Sequence, residues 1–502
     1  MNRIMNKKWI AVLAALALVA GPLVAQQQPV TQEQAAKGER LNRAPISKEI
    51  LKVKLPRPVE KTLSNGLTVL IMEDHRFPLV SMAFSISGAG PIYEPAESPG
   101  LAAATATMLR EGTKTRSSRQ IAEEIDNLGA TINAGAGWGS TATQFSANGL
   151  SDNFDAWFAL ALDVLLNPTF PEEELARLKQ RSKVQLKQQR ASPAFLRTER
   201  VSKAVFGSHP ASVRSATEAS IDATTPAMLA KWHAERYVPQ NAILGIAGDV
   251  NATETFAKLE KWLEGWKRTA LEEKLPADPK PTSARKIYLV NRPGSAQTDL
   301  ALANLSIDRT DPDFYALEVM DQIVGSGSAS RLFKNLREAK GYTYGAYSNF
   351  TAVKYPGPWQ ASSQVRTEVT EGAMTEFLHE IKRIREEAVP AQELEEQKRL
   401  IVAQFALGLE QPTTALNQAI IREIYGFPED YWDTYPAKIM AITAADVQRV
   451  AKKYLNPETL QIVAVGDVEK IKAVMEKYGP VEIYDAEGKM VEQAAAATGS
   501  SR

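Results

Sequence analysis

The sequence predicts an α+β protein made of two homologous sandwich units in one chain. Three observations carry this. First, the chain has 502 residues, enough for two or more domains with sizeable cores. Second, it repeats itself. The run "FPEEELARLKQRSKVQLKQQ", from Phe170, returns as "VPAQELEEQKRLIVAQFALG", from Val389, with Pro171/Pro390, Glu174/Glu393, Leu175/Leu394 and Lys179/Lys398 each 219 positions apart. Likewise "RYVPQNAILGIAGDV" and "KYLNPETLQIVAVGDV" place Gly248, Asp249 and Val250 opposite Gly466, Asp467 and Val468 at an offset of 218. Third, strand-like pairs precede long helices, the order of an α+β sandwich rather than of a doubly wound parallel sheet.

Along the chain, the first segment has Arg3, Lys7 and Lys8, an uncharged apolar run over residues 9–25, and then Gln26 to Gln28. This is the layout of a secretory leader, expected over residues 1–25. It predicts an exported, periplasmic protein, and no later run is apolar enough to form a stable membrane span. Residues 26–55 read as a polar linker, 56–271 as the first domain, 272–286 as a Pro- and charge-rich join, 287–487 as the second domain, and 488–502 as a frayed tail. Lys+Arg and Asp+Glu both number 59, which speaks against nucleic acid as a partner. Cys is absent, which excludes disulfides, a thiol nucleophile and a lipoprotein signal.

Within the first domain, "LTVLIME" and "LVSMAFSISG" read as strands with "DHRFP" between them. "AILGIAGDV", and later "LQIVAVGDV", read as buried strands ended by Gly-Asp. "SPGLAAATATMLREGT", residues 98–113, reads as a short helix. Ser98 is placed to cap it, Pro99 suits its first turn, and Gly112 suits its end. Leu101, Ala104, Thr105 and Met108 have the spacing of a buried stripe. A second stripe, Ala103, Ala106 and Thr107, is chemically blank.

The frame "GLA…ML…GT" resembles that of the insulinase-type (M16) zinc peptidases, the pitrilysin family. In active members this helix carries His-x-x-Glu-His, two zinc ligands with a general base between them. The resemblance lays those groups on Ala103, Ala106 and Thr107, and all three are missing. The family's third ligand, a Glu on the next long helix, is expected within residues 181–195, which hold no Asp or Glu. The four His (His75, His209, His233, His379) form no helical ligand pair and read as surface or loop residues. No metal is therefore expected on this chain. The resemblance spans about residues 59–484, includes the duplication, and implies a mainly antiparallel sheet in each unit.

In the second unit, "SGSASRLFKNLREAKGYTYGAYS", residues 326–348, reads as a loop, a helix and a strand. From the residues alone, Arg337 is equally a surface partner of Glu338 and Tyr344 an ordinary strand residue beside Tyr342 and Tyr347. The stretch matches the family's second-unit motif, which implies that Arg337 and Tyr344 reach the active site of another unit or chain. There they would bind substrate backbone and help stabilise the oxyanion. The resemblance thus implies a non-catalytic, metal-free subunit of an exported heterodimeric peptidase. It would have no activity alone, and the zinc would sit on a partner carrying His-x-x-Glu-His. The Gly-rich residues 129–144 resemble the family's edge strand, where a peptide substrate adds a strand. A structural scaffold or peptide-binding protein without any part in proteolysis is the alternative. The Ser residues of "GSGSAS" lack a nucleophile-elbow frame and a nearby His, and no phosphate loop is present.

Overall fold

The structure, a computed structural model, describes residue 49 and residues 52–271 and 273–493. The expected leader and most of the expected linker lie outside the described residues, as do residues 494–502. In the first half, β1 (Val59–Thr62), β2 (Thr68–Glu73), β3 (Leu79–Ser87), β4 (Thr131–Gly135), β5 (Ala142–Leu150) and β6 (Ala242–Gly248) form one sheet in the order β1-β2-β6-β3-β5-β4. Its helices are α1 (Leu101–Met108), α2 (Ser118–Asn127), α3 (Phe154–Leu166), α4 (Glu172–Arg190), α5 (Pro193–Phe206), α6 (Glu218–Ala223), α7 (Pro226–Arg236) and α8 (Ala252–Trp262). β2 and β6 run parallel, and the other neighbours are antiparallel.

The second half repeats this plan. Its strands are β7 (Lys286–Asn291), β8 (Gln297–Leu305), β9 (Thr343–Phe350), β10 (Pro358–Arg366), β11 (Gln461–Gly466), β12 (Val481–Tyr484) and β13 (Met490–Gln493). They lie in the order β13-β12-β7-β11-β8-β10-β9, so β7-β11-β8-β10-β9 reproduces β2-β6-β3-β5-β4. The helices are α9 (Phe314–Val324), α10 (Thr370–Glu386), α11 (Ala391–Gly408), α12 (Pro412–Tyr425), α13 (Tyr431–Ala441), α14 (Ala444–Tyr454) and α15 (Val468–Met475). The repeat read from the sequence is visible here: α4 and α11 both start directly after their paired prolines, Pro171 and Pro390. Local signals set several other helix starts. Ser117 and Gln120 form a capping box at α2, as do Thr443 and Asp446 at α14.

The halves are joined by an exchange of helices. Leu196, Val201 and Val205 of α5, a first-half helix, pack on Val290, Ala301, Ala303, Val463 and Val465 of the second sheet. In return, Leu416, Ala419 and Ile420 of α12 join a core with Leu70 and Met72 of β2 and Ala247 of β6. The approach is close. A Cβ at Gly245 on β6 would fall 2.7 Å from Ile420 Cδ1 and 3.0 Å from Leu416 Cδ2. Polar contacts finish each seat. The Arg200 guanidinium stacks 3.3 Å over the Tyr484 ring and donates to the Gly488 carbonyl at 3.1 Å. Arg422 of α12 pairs with Glu60 of β1.

Two boundaries differ from the sequence reading. The expected frayed tail begins with β13, because β12 offers an open edge and Lys472 pairs with Glu492 at 2.6 Å. The expected linker is not wholly free either. Leu55 is buried in the second-half core, and its N–H donates to Asp433 at 2.9 Å.

The seat of α12 predicts the cost of crowding it. Replacing Gly245 with Leu is expected to destabilise the protein by about 1–3 kcal/mol through overpacking. Denaturant unfolding measures this, and a variant as stable as the parent would contradict the seat described.

Candidate functional site

The short helix α1 is framed, but not by Ser98. Gly100 stands at its N-cap with φ 98°, a conformation that favours glycine. The cap itself is Glu94, seven residues ahead of Leu101. Its carboxylate accepts from the Gly100 N–H at 2.9 Å and from the Ala102 N–H at 2.7 Å. Ser98 loses the role because the left-handed turn at Gly100 starts the helix two residues later. Burial pushes the Glu94 carboxyl up to about 7, although the two backbone bonds favour its ionised form.

Of the predicted buried stripe, Leu101, Thr105 and Met108 are buried and Ala104 is partly buried. The blank stripe is split. Ala106 is fully buried, because α1 is held between α7 and β4 rather than lying on one surface. Ala103 is half-buried and Thr107 exposed. These two residues, with Ala104, face α4 across a cavity of about 400 Å³. Lys179, Arg181, Ser182, Gln185 and Gln189 line the opposite wall, and Trp138, from the β4–β5 loop, lines an edge. The stretch in which a third ligand was expected therefore does face α1, with cationic and amide groups in place of a carboxylate.

A zinc ion does not fit these residues. Ala103 offers only a methyl group, and the Thr107 hydroxyl donates to the Ala103 carbonyl at 2.9 Å. A neutral hydroxyl among amide and cationic side chains is a poor donor set for this metal. Among the described residues, no group of three or more His, Cys, Asp or Glu is placed to hold a metal ion. Two histidines depart from the surface reading. His209 is buried against Tyr355, with ring centroids 4.9 Å apart. His233 lies on α7, its Nε2 2.7 Å from the Leu165 carbonyl oxygen. Their aromatic neighbours draw both rings inward.

The second-half residues sit elsewhere. The cavity is lined only by residues between 99 and 224, so Arg337 and Tyr344 are not part of it. They do meet each other: the Arg337 guanidinium lies 5.1 Å from the Tyr344 ring centroid. Arg337 rides on a π-helical turn, Phe333–Ala339, closed by the Lys340 N–H donating to the Asn335 carbonyl at 2.9 Å. The Asn335 side chain ties this turn to α10 through Glu376 and Glu380, at 2.9 and 2.8 Å. Tyr344 stands on a β-bulge of the edge strand β9, where Tyr344 and Gly345 together oppose Gln364 of β10. Thr343 pins the bulge by donating to Gln364 O at 2.7 Å. Tyr344 is consequently 84% exposed, and Tyr347 emerges beside it. Among the described residues Arg337 has no ion-pair partner, so the surface pairing with Glu338 does not form. The Gly-rich stretch supplies β4, which is the edge of the first sheet.

Comparison with known proteins now bears on the chain as a whole. The family model for insulinase (Peptidase family M16) matches residues 68–216, and that for the Peptidase M16 inactive domain matches residues 223–401. The chain belongs to the M16 peptidase family. It is 27% identical over 407 residues to an uncharacterized zinc protease of Rickettsia bellii, covering 78% of this chain and 94% of that one. A zinc protease of Bacillus subtilis is 25% identical over 369 residues, 71% of this chain and 86% of the relative. The crystal structure of a peptidase M16 inactive domain from Pseudomonas fluorescens superposes with TM-score 0.75 at 27% identity, covering 82% of this chain and 98% of that one. A Helicobacter pylori protease shares the fold with TM-score 0.75 at 19% identity, over 82% of this chain and all of that one. Within the M16 family this chain is a non-catalytic member, since Ala103, Ala106 and Thr107 supply neither ligands nor a base. Sequence reading missed Glu94 and Trp138. Trp138 lies in the Gly-rich stretch and Glu94 in no motif, and both reach α1 only through the fold.

Two predictions follow from this geometry. Chelators are expected to leave the thermal midpoint unchanged, and a chelator-dependent drop would place metal ligands on the chain. Glu94 gives a pH signature. Between about 4.5 and 7 the folded state keeps a proton that the unfolded state has released, so the stability Glu94 contributes falls as pH rises and levels off above about 7. Thermal melts of Glu94→Gln and the parent should therefore converge or diverge across that window and run parallel above it. Curves parallel throughout would contradict the raised carboxyl.

Proposed function

We propose that this M16 chain is the metal-free subunit of an exported heterodimeric peptidase. In this reading the catalytic chain carries His-x-x-Glu-His and the zinc. Arg337 and Tyr344 reach into its active site, bind substrate backbone there, and steady the oxyanion formed when the peptide carbonyl is attacked. The observation that carries the reading is the exposed Arg337–Tyr344 pair, held at 5.1 Å on a π-turn and a bulge, with no ion-pair partner among the described residues. A guanidinium is charged at every working pH and presents a fork of N–H donors, and a phenol adds an O–H donor. Both suit a carbonyl oxygen that gains charge, and neither needs a metal beside it. Export and a periplasmic setting rest on the charged and apolar pattern of residues 1–25. A peptide substrate of the pair would run along an exposed strand edge such as β4.

The test is a gentle affinity capture of the tagged chain from its native cell envelope, with peptidase assays on the eluate. A His-x-x-Glu-His chain should co-elute with chelator-sensitive activity. Arg337→Ala should then lower turnover by on the order of 10²-fold while the two chains still co-elute. Capture of the chain alone, or activity indifferent to Arg337→Ala, would leave the scaffold or binding-protein reading in its place.

A further inference from the structure

We infer that the cavity between α1 and α4 is a non-cleaving receptor site for a carboxylate carried by an extended peptide. This does not rest on the catalytic partner, because every residue it needs lies on this chain. The first support is charge. The lining holds two cations, Lys179 and Arg181, and no Asp or Glu. Arg181 keeps N–H donors for a ligand: its side chain is 58% exposed, and its ion pair with Glu111, at 3.6 Å, is too long for a hydrogen bond. The other Glu111 oxygen already accepts from the Ser118 hydroxyl at 2.7 Å. Lys179 donates to the Asp222 backbone carbonyl at 2.8 Å and, among the described residues, pairs with no carboxylate. The Asp222 carboxylate is taken by Lys183 at 2.6 Å. Two cations and no carboxylate in the lining of a cavity favour an anion there.

The second support is the set of polar groups left over. Ser182, Gln185 and Gln189 line the same wall, and no side-chain hydrogen bond to any of them is found among the described residues. Amide side chains that both donate and accept fit the alternating C=O and N–H groups of a peptide backbone. The third support is shape. Leu175, Leu178, Leu186, Ile221 and Trp138 give the cavity an apolar side that suits a methylene stem. A bare inorganic anion has no use for such a wall. Trp138 stands three residues beyond the end of β4, so a strand added to that edge would pass the mouth of the cavity. Ala103 and Thr107 contribute by being small: their side chains leave the volume open.

The carboxylate could come from an Asp or Glu side chain or from a peptide C-terminus, and the two are separable. The full chain, without any partner, is titrated against three labelled peptides of one neutral sequence by fluorescence anisotropy. One carries a central Glu and an amidated end, one a central Gln and a free C-terminus, and one a central Gln and an amidated end. At least one carboxylate-bearing peptide should bind on the order of tenfold tighter than the neutral amide, with the advantage shrinking as salt rises. Whichever of the two shows it names the source. Arg181→Ala should abolish most of the preference, and Arg181→Lys should keep part of it. Ala103→Phe should weaken binding of all three by filling the cavity. Arg181 is an exposed helix residue, so its variants should fold normally, and circular dichroism and the thermal midpoint check this. Equal affinity for the three peptides, or a carboxylate preference that survives both Arg181→Ala and Ala103→Phe, overturns the assignment.

Discussion

The exchange of α5 and α12 is the contact on which the rest of the molecule depends. Each sheet has one face covered by its own helices and the other covered in part by a helix from the other half. The second face of each sheet is thus covered in part by residues that the other half supplies. The exchange also reaches the cavity. α4 forms the cavity wall and is followed within three residues by α5, which is buried against the second sheet. Arg190, the last residue of α4, grips Glu199 on α5 at 2.5 and 2.8 Å and touches the Ser215 hydroxyl at 3.3 Å. Ser215 itself lines the cavity. The wall facing α1 is thus anchored from the second half of the chain.

The position of α1 does not depend on reactive groups at residues 103 and 107. Its position comes from the buried Leu101, Ala102, Thr105, Ala106 and Met108 and from Glu94, whose carboxylate is occupied by the Gly100 and Ala102 N–H groups. A helix of this length is marginal on its own and takes its stability from packing. The groups at positions 103 and 107 face open space and carry little of that packing, so small residues there leave the frame intact. The same replacement opens volume against the polar face of α4.

Much of this was legible in the sequence, and the rest was hidden for physical reasons. The duplication showed as paired residues at nearly constant offset, because equivalent helices start after equivalent prolines, Pro171 and Pro390. Strands β2, β3, β6 and β11 showed through their apolar runs. The buried stripe on α1 was legible, but not the second contact at Ala106. Helical spacing locates one buried face, whereas α1 touches both α7 and β4, and Ala106 falls on the second contact. Glu94 was invisible because its bonds depend on a left-handed turn at Gly100. The helix exchange left no signal either, since an apolar face on α5 or α12 does not say which sheet it will meet. The β13 strand, around Met490 and Val491, was short and sat in a polar tail, and only the open edge of β12 recruits it.

The two ends of the chain's chemistry are therefore built to opposite designs. On α1 the fold keeps a scaffold and omits the reactive groups. At Arg337 and Tyr344 it does the reverse. A π-turn and a β-bulge each interrupt regular hydrogen bonding, and both are found more often at functional positions than in plain framework. Here the turn carries Arg337 and the bulge carries Tyr344, and neither side chain is buried. Core packing accounts for Leu336 and Ala346 beside them, which are fully buried, but not for the two that point outward. A cation over an exposed aromatic ring contributes only about 0.5–1 kcal/mol. That is too little to hold two irregular elements in place, but enough to orient a guanidinium. The irregular backbone is secured instead by Asn335, bonded to Glu376 and Glu380 of α10, and by Thr343, bonded to the Gln364 carbonyl of β10. Rigid support under two exposed polar groups is the arrangement expected of a surface made to meet another molecule.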